Sequence, residues 1–230
     1  MLPVKALLPV RKPAYVTYGL ILVNVLVFLW ELTIPANQLG LVFRQLAVVP
    51  CELGNHLLSP ETGLDLVRSM FLHASWSHLI GNMAYLWIFG RNVEDYLGGW
   101  KFLGLYAAFG VAASFSESLV NSTLCVPMVG ASGAISGVLG SYLVLYPASR
   151  VRVVIIFFRV LPRSFNAPAL LVLGFWFLLQ LLNGIASISP DTISGGVAFF
   201  AHIGGFIAGI IALFVYTMFH RPPETEVYLN

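Results

Sequence analysis

Residues Gly130–Gly140 read GASGAISGVLG, and they lie in a run with no charged residue from Val120 to Ser149. The hydroxyl of Ser132 is therefore surrounded by glycine and alanine inside an apolar segment. Small residues at this spacing allow transmembrane helices to approach closely. The stretch predicts a membrane-spanning helix that packs tightly against a neighbour and carries a polar group at its start.

The whole chain has the composition of an integral membrane protein. Its 230 residues are 58% hydrophobic and 10% charged, with a mean hydropathy of +0.86, whereas a soluble domain is typically about a quarter charged. The net charge is only +2, and nothing in it points to nucleic acid. The predicted surrounding is the lipid bilayer.

Six apolar segments can cross roughly 30 Å of hydrocarbon, and lipid forces each to be helical because it satisfies no backbone polar group. We therefore predict an all-α integral membrane protein, a six-transmembrane-helix bundle forming a single domain over 1–230. Its core covers about 68–219, between short N- and C-terminal tails that include His220–Asn230. The predicted spans are Val16–Ile34, Met70–Gly90, Lys101–Leu119, Ala131–Tyr146, Ala167–Gly184 and Val197–Phe219.

Two connecting segments are also apolar. Val151–Leu161 is interrupted by arginines and predicts a hairpin at the membrane surface, with a seventh crossing as the alternative. Pro35–Ser69 predicts short amphipathic pieces in the interface. Cys51 and Cys125 both fall on the outer side, where a disulfide and two unpaired thiols remain equally open.

The basic residues indicate the orientation of the bundle. With six spans both termini lie on one side, and ten of the twelve Lys and Arg residues fall there, against only Arg44 and Arg68 on the other. The positive-inside rule then makes both termini cytoplasmic, with the cell (inner) membrane as the expected location.

Polar residues of three predicted spans converge at one depth. His78 and Asn82 are four residues apart and share one face of the second span, Ser132 begins the fourth, and His202 lies early in the sixth. All three spans enter from outside. Ionisable residues at such depth are costly and indicate a functional site.

Glycine spacing predicts which helices meet. Gly133 and Gly137 form a stripe on the fourth span, and Gly205 and Gly209 form one with His202 on the sixth. A close crossing of the two stripes would bring Ser132 beside His202. Packing alone is the usual role of such a cluster when it stands by itself.

Serine needs a neighbouring base to act as a nucleophile, and His202 could supply it. Ser132 at a helix start lies beside backbone N–H groups without intrahelical partners, and Gly130 leaves the approach open. His78 and Asn82 would add donors to an oxyanion hole. With no intramembrane Asp near His202, the arrangement would be a Ser–His dyad rather than a triad.

Five other polar residues have simpler expected roles. Gln180 is assigned to hydrogen bonding between helices, and Glu117 to the membrane interface. His73 is expected to cap a helix or bind water. Glu94 and Asp95 are expected to end a helix or face the cytoplasmic solvent.

The motifs HASWSHLIGNM, GASGAISG and AHIGGFIAG, in this order, resemble the rhomboid family of intramembrane serine proteases. The resemblance extends from about Arg68 to Phe219 and implies a rhomboid-like bundle. It implies Ser132 as nucleophile, His202 as base and then acid, and His78, Asn82 and the backbone around Gly130 as the oxyanion hole. It implies no metal or organic cofactor.

The resemblance also implies substrates, which are transmembrane segments of other proteins, cut near the membrane surface. The fifth span with Phe175, Trp176 and Phe177 is the gating helix by resemblance only. Two positions depart from the family pattern: Val67 replaces a Trp before the outer-loop arginine, and Ser136 replaces an aromatic residue that stacks on the histidine. The ring of His202 must then be held by another group.

The resulting hypothesis is a serine endopeptidase that acts in the membrane. The rival is a polytopic transporter or non-catalytic scaffold in which the histidines relay protons or hold a substrate. Such proteins typically show inverted repeats with paired broken helices, and no such symmetry is visible. The natural substrate and the oligomeric state stay open.

Overall fold

The computed structural model describes residues 2–54, 59–155, 163–188 and 197–221. Most of the predicted C-terminal tail lies outside these ranges. The helices are α1 Tyr15–Glu31, α2 Ala36–Leu46, α3 Pro50–Leu53, α4 Pro60–Arg68, α5 Trp76–Tyr85, α6 Arg91–Leu97, α7 Gly99–Val120, α8 Ser132–Leu145, α9 Ala169–Ser187 and α10 Phe199–Phe219, and the strands are β1 Leu2–Ala6, β2 Arg150–Ile155 and β3 Arg163–Pro168.

Three helices within the described ranges, α7, α9 and α10, are long and apolar enough to cross a membrane. Helices α1 and α8 are apolar but shorter. These five helices coincide with five of the six predicted spans, to within a few residues at each end. The chain is therefore an integral membrane protein with several helices of membrane character.

The second predicted span starts later than expected. Residues Ser69–Phe71 form a 3₁₀ turn and Leu72 is extended, so the start at Met70 is wrong and α5 begins at Trp76. Ser75 caps the helix by accepting a hydrogen bond from the His78 amide at 3.2 Å. Beyond α5 the backbone stays helical through a π-helical segment, Leu86–Gly90, into α6.

Helix α8 occupies the centre of the bundle, and almost every residue in it is buried. Its glycines allow backbone to touch backbone: a β-carbon added at Gly205 or Gly209 would collide with the carbonyl oxygen of Gly133 or Gly137. On another side, a β-carbon at Gly137 would collide with the ring of Phe109 in α7. The two glycine stripes therefore form the crossing of α8 and α10.

A small antiparallel sheet, in the order β1-β2-β3, was not predicted. Val151 and Val153 of β2 are fully buried, so the sheet closes one end of the bundle. The all-α class is wrong for these segments, and the N-terminal tail begins as a strand. Of the hairpin predicted at Val151–Leu161, residues 151–155 belong to β2, which pairs with β3 beyond the predicted segment, and residues 156–161 lie outside the described ranges.

Glu94 does not face solvent, which was one of the two roles predicted for it. It is buried, and its carboxylate accepts hydrogen bonds from the amides of Val16 and Thr17 at 2.9 and 2.7 Å, and from the Thr17 hydroxyl at 2.7 Å. Its neighbour Asp95 accepts from the amide of Arg11 at 3.0 Å. Glu94 thus satisfies free donors at the start of α1, and Asp95 binds the segment just before it, so both fix this part of the chain to α6.

The long connection between α1 and α5 contains the short helices α2, α3 and α4, as predicted for Pro35–Ser69; residues 55–58 lie outside the described ranges. A disulfide joins Cys51 of α3 to Cys125 in the loop before α8. A β-bridge between Val48 and Met128 lies beside it. The loop that leads to Ser132 is therefore fastened to the long connection between α1 and α5.

Candidate active site

Ser132 and His202 meet at the end of the α8–α10 crossing where both helices begin. Ser132 is the first residue of α8 and His202 lies in the first turn of α10. The distance from Ser132 Oγ to His202 Nε2 is 2.9 Å, within hydrogen-bond range. The structure thus brings together two residues that are 70 positions apart in the sequence.

A cavity of about 1290 Å³ opens beside this pair and is lined by both residues. His78, Asn82 and Gly130 line it as well. The first amides of α8, starting at Ser132, have no carbonyl one turn earlier within the helix to bond. A group bound next to the Ser132 hydroxyl would therefore face backbone donors as well as side chains.

His78 and Asn82 lie on the cavity side of α5, one turn apart. The His78 ring is half-buried and has no hydrogen-bond partner among the described residues. Asn82 is 8% exposed, and its Nδ2 donates to His73 Nε2 at 2.9 Å. An amide nitrogen carries two hydrogens, so one N–H of Asn82 stays available to the cavity.

Gly130 has a structural reason to be glycine. Its φ of +123° is a conformation that residues with a side chain rarely adopt, and an added β-carbon would lie 2.7 Å from the His78 ring. Its amide, however, donates to the Ser69 carbonyl at 2.8 Å. The prediction of a Gly130 donor in an oxyanion hole is therefore wrong: the residue makes room for His78.

His73 is buried rather than interfacial, with 1% of its surface exposed. Its amide donates to the Glu31 carboxylate at 3.0 Å, and its Nδ1 lies 3.3 Å from the Phe71 carbonyl oxygen. Because that oxygen can only accept, Nδ1 carries the proton and Nε2 accepts from Asn82. A chain of contacts from α1 thus orients the Asn82 amide.

Gln180 of α9 contacts the other side of His202. Its Oε1 is 2.8 Å from His202 Nδ1, and the Trp176 ring lies 6.0 Å from the imidazole, centroid to centroid. The predicted hydrogen bond between helices is confirmed, but its partner was missed. Gln180 is one of only two polar residues in the middle of a very apolar helix, which is the signal that singled it out.

Glu117 of α7 is fully buried and does not lie at the interface as predicted. Its carboxylate accepts from the Ala201 amide at 3.0 Å and from Asn121 Nδ2 at 2.5 Å. A negative group at the start of a helix stabilises that helix end. Glu117 therefore fixes the first turn of α10, where His202 lies.

Metal ligation finds no support in the described part of the chain, where no three His, Cys, Asp or Glu side chains are grouped to hold an ion. The polar side chains that line the cavity carry hydroxyls, that of Ser132 among them, imidazoles, amides and the carboxylate of Glu117. Such a set can activate a hydroxyl and bind a developing negative charge.

Comparison with known proteins gives consistent matches. The model of the rhomboid domain matches residues 60–219. Rhomboid protein 1, mitochondrial, of Saccharomyces cerevisiae is 28% identical over 206 residues, which are 86% of this chain and 52% of the relative. Rhomboid protease GluP of Bacillus subtilis is 30% identical over 158 residues, 69% of this chain and 27% of the relative.

A third relative is the human presenilin-associated rhomboid-like protein, mitochondrial. It is 32% identical over 199 residues, which are 84% of this chain and 46% of that protein. This chain thus spans about half, or less, of the length of these three relatives.

Proposed function

This chain belongs to the rhomboid family, and from that premise we propose that it is an intramembrane serine endopeptidase with Ser132 and His202 as its catalytic dyad. The observation that carries the proposal is the 2.9 Å contact between Ser132 Oγ and His202 Nε2 beside an open cavity. The similarity to a relative named a rhomboid protease supports the same reaction class.

In the first half of the reaction, His202 Nε2 takes the hydroxyl proton while Ser132 Oγ attacks the carbonyl carbon of the substrate peptide. The carbonyl electron pair moves to the oxygen, and a tetrahedral intermediate forms. His202 then gives the proton to the leaving amine as the C–N bond breaks. An ester between Ser132 and the N-terminal part of the substrate remains.

In the second half, water attacks the ester with His202 as base. The water proton goes to Nε2, the tetrahedral intermediate collapses, and Ser132 Oγ leaves with that proton. The net change is hydrolysis of one peptide bond, and no cofactor is consumed.

The oxyanion of both intermediates would be bound by the free N–H of Asn82, the His78 ring and the backbone amide of Ser132. Each of these groups faces the cavity or begins α8. Donors that are already in position when the charge develops contribute most to such reactions. His73 and Glu31 support this role by fixing the Asn82 amide.

The proposed substrates are transmembrane segments of other proteins, and the proposed setting is a six-helix, single-domain bundle in the cell (inner) membrane. The coincidence of α1 and α8 with predicted spans, and the continuous helical backbone from Trp76 to Gly90 inside the second predicted span, support six crossings. The distribution of Lys and Arg supports cytoplasmic termini. Reporter fusions at each terminus would test the orientation.

Cleavage of a single-span model substrate by the purified protein tests the proposal. Ser132→Ala should abolish cleavage, whereas Ser141→Ala should not, because Ser141 lies in the same helix and only donates to a carbonyl within it and to Gly209. Cleavage by folded Ser132→Ala at the wild-type rate would contradict the proposal. Ion-dependent uptake into liposomes without cleavage would favour the transporter instead.

A further inference from the structure

The uncharged side chain of Gln180 contacts the imidazole of His202, the proposed base, on the side away from Ser132. Gln180 lies about three turns into α9, and only 9% of its surface is exposed although the helix around it is largely exposed. Its Oε1 is 2.8 Å from His202 Nδ1, on the opposite side of the ring from Ser132. The imidazole therefore has a defined partner on each nitrogen.

The orientation of the Gln180 amide follows from its other end. Its Nε2 donates to the Trp176 carbonyl one turn earlier in α9, at 3.4 Å. Because a carbonyl oxygen accepts only, the amide nitrogen must point there and Oε1 must point to His202.

This contact determines which ring nitrogen of His202 carries the proton. An amide oxygen can only accept, so Nδ1 must donate to it, and Nε2 is left with its lone pair towards Ser132. In the other tautomer Nε2 would carry the hydrogen, so it could not accept the proton of the Ser132 hydroxyl. A base with the wrong tautomer loses most of its activity even when its position is unchanged.

The group that contacts His202 Nδ1 is an amide and not a carboxylate. The nearest buried acid on a neighbouring helix, Glu117, is engaged with the Ala201 amide and Asn121. Gln180 thus stands where Asp stands in Ser–His–Asp triads, with the difference that it brings no charge; Asn plays the equivalent part beside the His of some cysteine proteases.

The imidazole of His202 also has no aromatic residue of α8 stacked against it. Ser136, one turn after Ser132, donates its hydroxyl to the Ser132 carbonyl at 2.7 Å and offers no aromatic face. Trp176 contributes a tilted ring at 6.0 Å. The hydrogen bond that His202 Nδ1 donates to Gln180 Oε1 is consequently the main directional contact on this side of the ring.

We propose that Gln180 is a positioning residue of the site, which holds His202 in the Nδ1–H tautomer and aims Nε2 at Ser132. The proposal rests on the proposed function and extends the Ser–His dyad by a third, uncharged residue that positions the imidazole. Gln180 should therefore speed the chemical step, which kcat reports, and contribute little to substrate binding.

Two substitutions separate this role from packing. Gln180→Met keeps the length of the side chain but removes the acceptor, so kcat should fall about 10- to 100-fold, part of the effect of a general base, while KM changes less than about twofold. Gln180→Glu keeps an acceptor, so kcat should stay within about fivefold of wild type. Its added charge favours the protonated ring, so the acid limb of the pH profile should move to higher pH.

Asn183→Met is the matched control, because Asn183 is an exposed polar residue of the same helix. It should leave kcat and the pH profile unchanged. Thermal unfolding of every variant in detergent shows whether the fold is intact.

Wild-type kcat in folded Gln180→Met would overturn the proposal. An unshifted pH profile in Gln180→Glu would overturn it as well, and this second measurement decides the question if Gln180→Met does not fold. A wild-type protein that fails to cleave any transmembrane substrate would instead count against the proposed function itself. The two failures are therefore distinguishable.

Discussion

The two walls of the cavity are held by different kinds of contact. The wall with Ser132 and His202 is the α8–α10 crossing, where Gly133, Gly137, Gly205 and Gly209 let the two backbones touch. The opposite wall, with His78 and Asn82 on α5, is held by hydrogen bonds among side chains and loop backbone. Steric fit therefore sets the position of the proposed catalytic pair, and polar contacts set the position of the proposed oxyanion donors.

This difference has a consequence for mutations. A glycine whose backbone contacts another backbone cannot be replaced without strain, because any β-carbon adds volume where no side chain can move away. A hydrogen-bonded wall can lose one contact and keep its shape. We therefore expect changes in the crossing to affect folding, and changes in the opposite wall to affect activity.

Gly209→Val should have the largest effect. Its β-carbon would collide with the Gly137 carbonyl, so the two helices must separate. The loss of stability should exceed the roughly 1–3 kcal/mol usual for overpacked sites, because the obstacle is backbone. Unfolding in detergent measures it; a Gly209→Val protein as stable as wild type would show that the crossing is not the rigid part of the site.

Asn82→Ala should lower kcat by about 10²–10³-fold, as expected for removing one oxyanion donor. The fold should persist, because the same change leaves only His73 Nε2 without its donor. Asn166→Ala on β3 is the control, since Asn166 contacts Arg152 at the other end of the bundle. If both variants retained the wild-type kcat, Asn82 would have no part in the reaction.

Removal of the disulfide by Cys51→Ser with Cys125→Ser should cost about 2–4 kcal/mol of stability, given that it closes a long loop. Activity should fall as well, because the bond fastens the loop that leads to Gly130 and Ser132. The comparison is unfolding and cleavage with and without reductant. Reductant should change wild type and leave the double variant unaffected.

The smallest effect is expected on α9. A β-carbon at Gly174 would have no atom within 4 Å, so Gly174→Ala should change stability by no more than about 1 kcal/mol, in the stabilising direction for a helix interior. A large loss of stability there would mean that α9 packs as tightly as the α8–α10 crossing, and the contrast between the regions would fail.

The parts of the molecule that follow a local rule could be predicted from the sequence. The glycine stripes indicated the α8–α10 crossing, and that crossing brings Ser132 to His202. The four-residue spacing put His78 and Asn82 on one face. Short helices in the long connection between α1 and α5 followed from its apolar patches.

What could not be predicted depends on rotation and on long-range pairing. The partner of Gln180 depends on how α9 is rotated against α10, which an almost uniformly apolar helix does not reveal. The amide of Gly130 is taken by Ser69 because two loops meet, and Glu94 is buried because it caps α1. The pairing of Cys51 with Cys125 likewise needs a distance between loops that no spacing supplies.

Covalent labelling by a fluorophosphonate probe, located by mass spectrometry of the purified protein, tests most directly whether His202 activates the Ser132 hydroxyl. The account predicts a single adduct on Ser132 in wild type, and none in Ser132→Ala or His202→Ala. Labelling of Ser132 at the same rate in folded His202→Ala would contradict the account, as would a wild-type protein that takes up no probe while it cleaves substrate.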